Sequence, residues 1–182
     1  RINTDAIDNS AGVDCSDHEV NIKIAFSSEL ASNKLTLEKR DALLASMTDE
    51  VAGLVLRDNI LQTQALTIEQ SQGVKLLDTH MRLIHQLEKL GLLDRVIEFL
   101  PSDKQLGELK IAGKGLTRPE LAVLLSYSKM ARYKSLLESD LPDDEYFIHD
   151  LKNYFPGAMR EEFLQAIISH PLKREIIATV VT

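Results

Sequence analysis

The sequence predicts an all-α, multi-helix bundle of about eight or nine helices. Three observations carry this. Helix-start signals recur along the chain, apolar residues keep a helical period over long stretches, and Pro101, Pro142, Pro156 and Pro171 punctuate the second half.

Taken in order, Ser16 to Glu19, Ser102 to Gln105 and Thr117 to Glu120 each fit a capping box, in which a hydroxyl satisfies an orphan N–H and the third residue reaches back. The first box opens a helix at Ser16. It also favours helix for the stretch after it, where Val20, Ile22, Ile24 and Phe26 alternate as a strand would. From Thr48 to Gln72, Val51, Leu54, Val55, Leu61, Ala65 and Ile68 share one side of a helical wheel, and Leu77, Met81, Ile84 and Leu87 line a second helix from Val74 to Leu90. Gly91, after Lys89, marks its stop. Further helices are expected at 92–99, 103–112, 118–138, 143–153, 157–169 and 172–181, with Pro119 welcome in a first turn. No fixed-period repeat and no low-complexity linker interrupts them.

At 182 residues the chain suits one main domain with a real core. Its 44% apolar and 27% charged residues are ordinary for a globular protein and speak against disorder. No uncharged run approaches the roughly 18 residues a bilayer crossing needs, and the first residues lack the apolar core of a signal peptide, so a cytoplasmic protein without a membrane partner is expected. The net charge of −7, with acids and bases interspersed, offers no basic stripe for nucleic acid. Cys15 is the only cysteine, which excludes an internal disulfide and a cysteine zinc cluster. Both ends read as cuts within something longer, the last inside the apolar run Glu175 to Thr182.

The stretch from Ile7 to Ile24 concentrates a glycine, ionisable side chains and Cys15. A calcium loop would use Asp8, Ser10 and Glu19, but Val13 occupies the position that needs glycine, and no metal site is expected. Nucleophilic catalysis would pair Cys15 with His18, yet Asp14 and Asp17 oppose a thiolate and no orienting residue is apparent. An anion site would use Gly12 and the free N–H groups and hydroxyl of a helix starting at Ser16. A capping serine without any ligand explains Ser16 equally, and both readings stay open.

Elsewhere, Asp58 and Gln62 fall within the apolar arc of their helix, where a structural pair with a basic residue of a neighbouring helix is expected. His80 reads as a hydrogen-bonded core histidine, while His85 faces away. His149 and His170 receive no role, and the acidic runs near Asp143 and Glu161 suit solvated helix starts.

The string from Asp8 to Ile24 resembles a segment of the large multi-domain NAD-dependent glutamate dehydrogenases of bacteria. Arg57 to Leu66, Leu116 to Lys129, Ser139 to Phe147 and Arg174 to Thr182 are similar to successive segments of the same family, in the same order. The resemblance implies a C-terminal piece of an enzyme that converts L-glutamate, NAD and water to 2-oxoglutarate, ammonia and NADH. Residues 1–15 would be the edge of its NAD-binding domain and 16–182 a helical C-terminal domain, with the first segment partly irregular. More loosely, the same string is similar to the Asn-Ala-Gly-Gly-Val…Ser element of the smaller glutamate dehydrogenases. That similarity implies Asn9 beside the nicotinamide, Val13 in the substrate pocket and Ser16 on the side-chain carboxylate; Ala11 stands where the element has its first glycine. The family's catalytic lysine, aspartate and glycine-rich turn would lie upstream, so this piece alone is expected to be inactive, with no catalytic residue of its own. Upstream domains of the same polypeptide, glutamate and further copies of the complete enzyme are the implied partners. A non-catalytic helical interaction or regulatory module is the alternative.

Overall fold

The computed structural model describes residues 2–182, and every regular element among them is helical. In chain order these are α1 (Asp5–Asp8), α2 (Ser10–Ala31), α3 (Leu37–Ser46), α4 (Thr48–Gln72), a 3-10 turn at Gly73–Leu76, α5 (Leu77–Lys89), α6 (Asp103–Ile111) and α7 (Arg118–Leu137). Two 3-10 turns at Leu141–Asp143 and Glu145–Phe147 precede α8 (Ile148–Tyr154), α9 (Gly157–Glu162), α10 (Leu164–Ile168) and α11 (Lys173–Val181). The all-α class holds, and among the described residues up to 15 the irregular part is residues 2–4 and the turn at Asn9.

The alternating stretch after Glu19 is helical because its burial follows helical spacing. Ile22, Ala25 and Phe26 are buried, whereas Val20 is half exposed. The stop after α5 is as expected: Gly91 has φ +67, its N–H donates to the Glu88 carbonyl, and the Leu92 N–H donates to the Leu87 carbonyl at 3.0 Å, a Schellman motif. At α6 both halves of the capping box form, with Ser102 Oγ accepting from Gln105 N and Gln105 Oε1 accepting from Ser102 N. At α7, Glu120 reaches back to accept from Thr117 N and Oγ1.

Two expectations are corrected. The capping box at Ser16 does not open a helix, because α2 already begins at Ser10 and runs through Gly12 without a turn. Over residues 92–99 no helix forms; 92–94 are irregular and 95–99 form turns. There Asp94 Oδ1 accepts from Val96 N and Ile97 N, offering the backbone a local alternative, and Phe99 takes φ +54. Arg95 braces the segment, donating Nε and Nη2 to Glu88 and Nη1 to Asp103.

One core was expected, and two compact units form instead. One runs to Ser10 and resumes over Asn59–Arg132; the other comprises Ala11–Asp58 and Tyr133–Thr182. The division expected at residue 15 falls inside α2. In the first unit Leu66, Leu77, Ile84, Leu87, Leu106 and Leu121 form the core. Arg118 is buried there, donating Nε to Asn3 Oδ1, Nη1 to Thr67 Oγ1 and Nη2 to the Thr63 carbonyl. Gly115 lies against Gly73 so closely that a Cβ would stand 2.7 Å from its backbone. In the second unit Ile22, Phe26, Met47, Leu151, Phe155 and Ile167 pack together, with the Phe26 and Phe163 rings edge to face at 5.0 Å. No helix among the described residues is long and apolar enough to cross a membrane.

Candidate functional site

Helix α2 carries the residues that the sequence singled out. Val13 and Ser16 are three apart on it and therefore neighbours on its surface; both are exposed, Val13 at 65%. At about 100° per residue they lie opposite the face of His18, Ile22 and Ala25, which enters the core. The Ser16 hydroxyl can thus donate to a ligand without disturbing packing. Ser16 sits well inside the helix, so the free N–H groups expected around it are absent, and the anion site read from a helix start does not form there. Asn9 is exposed in the turn between α1 and α2, its N–H donating to the Asp5 carbonyl at 3.0 Å.

Ser10, the true first residue of α2, lies in a polar chain. Its Oγ is 2.8 Å from Asn59 Oδ1 and 3.0 Å from the Ile7 carbonyl, and it accepts from Gln62 Nε2 at 3.4 Å. Gln62 in turn accepts from Lys129 Nζ at 3.1 Å, the cross-helix basic partner expected of it. Asp58 instead accepts from Arg57, its neighbour on the same helix, at 3.1 Å.

His18 is 2% exposed and its ring stacks on Tyr154, with centroids 4.4 Å apart. Neither ring nitrogen has a hydrogen-bond partner, and Nε2 lies 3.8 Å from Asp14 Oδ1. Burial pushes its pKa down, against the pull of Asp14. Cys15 is exposed and makes no hydrogen bond to this ring, so the Cys15–His18 nucleophile is not assembled. Asp8, of the calcium reading, accepts from Asn3 N and Nδ2, and those bonds hold its carboxyl below the usual carboxylate range.

Beside His18, Asn21 Nδ2 donates to the Tyr154 hydroxyl at 2.8 Å, and burial pushes that phenol up to about 12. His170 closes the cluster: Nδ1 accepts from Leu172 N, which leaves Nε2–H to donate to the Asn21 carbonyl at 3.1 Å. His80 is buried and bonded to Glu69 Oε2 at 2.9 Å, as expected of a core histidine. The sequence reading missed the approach of Asp14, His18 and Asp58, one ligand atom from each lying within 4.8 Å of the others. The four-residue spacing of Asp14 and His18 is a legible signal for half of it; nothing local announces Asp58.

Residues 1–69 match the family model of the catalytic domain of bacterial NAD-glutamate dehydrogenase, and residues 113–182 match that of the glutamate dehydrogenase C-terminal region. The chain is 50% identical over 97% of its length to an NAD-specific glutamate dehydrogenase of Pseudomonas aeruginosa. It is 46% identical to proteins of the same name from Halomonas elongata, over all of its length, and Mycobacterium tuberculosis, over 99%. It spans 11% of the length of each of these relatives.

Proposed function

We propose, from the premise that this chain belongs to the family of bacterial NAD-specific glutamate dehydrogenases, that it works as part of an enzyme oxidising L-glutamate with NAD and water to 2-oxoglutarate, ammonium, NADH and a proton. The 50% identity running across 97% of the chain carries this reading. NAD, when bound, supplies the hydride acceptor. The residues present fit only an edge of its site: among the described residues there is no strand leading into a glycine-rich turn that could cradle a pyrophosphate. On this reading the family's catalytic lysine and aspartate lie upstream, and the 182 residues alone do not transfer hydride.

Within the complete enzyme, Ser16 donates its hydroxyl to the distal carboxylate of glutamate, Val13 shapes the substrate side of the cleft and Asn9 faces the nicotinamide end of the cofactor. The exposure of Val13 and Ser16 on one face of α2, away from the core, supports this. The first residues act as the edge of the NAD-binding domain, within the stretch 1–69 that matches the catalytic-domain model, and the helices of residues 113–182 act as part of a C-terminal domain that contacts upstream domains and further copies of the enzyme in the cytoplasm.

The test is steady-state kinetics of the complete enzyme, wild type against Ser16→Ala. A hydrogen bond to a charged group is worth about 1.5–3 kcal/mol, so kcat/KM for glutamate should fall roughly 10- to 150-fold with the KM for NAD unchanged. Because Ser16 lies inside α2 and caps nothing, alanine there costs no cap, and unaltered glutamate kinetics would remove Ser16 from the site.

A further inference from the structure

We propose that Asp14, His18 and Asp58 bind one divalent transition-metal ion, with Zn2+ as its representative. The three residues come from α2 and α4 and belong to one compact unit. Each offers a ligand atom, all within 4.8 Å of one another.

The observation that points to a ligand is His18. A buried imidazole normally spends both ring nitrogens on hydrogen bonds, since leaving them unpaired in the interior costs free energy. His18 is 2% exposed, and neither nitrogen has such a partner. Its Nε2 faces Asp14 Oδ1 at 3.8 Å, too far for a hydrogen bond and close enough to share an ion. Stacking on Tyr154 fixes the plane of the ring, so a metal would find it already oriented. Burial also favours the neutral imidazole, the form that binds metals.

The chemistry of the donors selects the ion. One imidazole nitrogen and two carboxylates suit zinc or manganese; magnesium and calcium prefer oxygen alone, and copper(I) would want sulfur. Two anionic carboxylates and a neutral imidazole also balance a 2+ charge. Tetrahedral zinc with bonds of about 2.0–2.1 Å places ligand atoms roughly 3.4 Å apart, and the soft carboxylate torsions of the two aspartates supply the contraction. Asp14 and Asp58 are 27% and 36% exposed, which gives an ion a route in and leaves a position for water. Arg57 competes by donating to Asp58 at 3.1 Å.

The experiment is equilibrium dialysis of the complete polypeptide against micromolar Zn2+, followed by elemental analysis, for wild type, Asp14→Asn, Asp58→Asn and Arg57→Ala. Both asparagine substitutions keep shape at partly exposed positions. The wild type should retain one more zinc per chain than either asparagine variant, whose affinity at this site falls at least 100-fold, and Arg57→Ala should retain it with equal or tighter affinity. Zinc should raise the unfolding midpoint of the wild type more than that of the asparagine variants, with metal-free midpoints alike. Equal zinc content in wild type and both asparagine variants, whether zero or not, overturns the proposal.

Discussion

Asn21 donates to the Tyr154 hydroxyl at 2.8 Å, and both residues are buried, on helices separated by more than a hundred positions of sequence. The bond ties α2 to α8 inside one compact unit. Tyr154→Phe removes the acceptor and leaves the Asn21 amide buried without it, which should cost about 1–3 kcal/mol. Urea unfolding of Tyr154→Phe, Asn21→Leu and the double variant tests this; the double variant should lose less than the sum of the singles.

Gly115 and Gly73 are in backbone contact, and a Cβ at 115 would meet the Gly73 carbonyl carbon and oxygen at 2.7 Å. Gly115→Ala therefore forces backbone apart and should destabilise by about 1–3 kcal/mol. Gly107, inside α6 with nothing within 4 Å, behaves oppositely: Gly107→Ala should stabilise by about 0.5–1 kcal/mol. Equal effects at the two sites in thermal or denaturant melts would refute the close approach.

Arg118 spends three guanidinium nitrogens on Asn3, Thr67 and the Thr63 carbonyl while 7% exposed. Lysine cannot reproduce this fork. Arg118→Lys should cost about 1.5–3 kcal/mol in denaturant unfolding, and a neutral result would mean that a single point charge suffices at the site.

His170 is buried, and burial pushes its pKa below the ordinary 6.5. Between the folded and unfolded values the unfolded chain binds more protons, so stability rises with pH across that window. The contribution is complete above about 6.5 and is lost as pH falls through the lowered value. The unfolding midpoint should drop between pH 7.5 and 5.5, and less steeply in His170→Asn; identical slopes would exclude His170 as a source.

Much of the helical framework was legible because its signals are local. The capping box at Ser102, the reach of Glu120 back to Thr117 and the glycine stop at Gly91 use contacts within a few residues, so their chemistry is complete in the sequence. The expected start at Ser16 failed for a related reason. A capping pattern describes what a helix end could use, but it does not end the helix before it, and nothing between Ser10 and Ser16 breaks one. At residues 92–99 the side chain of Asp94 and the brace of Arg95 overrode the apolar spacing.

The sequence by itself determined the all-α class and most helix boundaries, and through its similarity to a known family it singled out Asn9, Val13 and Ser16 as candidates. Tertiary structure alone decided that the helices serve two cores, that Asn21, Tyr154 and His170 share one buried network, and that Asp58 stands beside Asp14 and His18. The physical reason is range. Helix formation is settled by hydrogen bonds and side-chain spacing within a turn or two, whereas these meetings depend on which distant apolar faces bury one another, and that choice brings polar groups along with it.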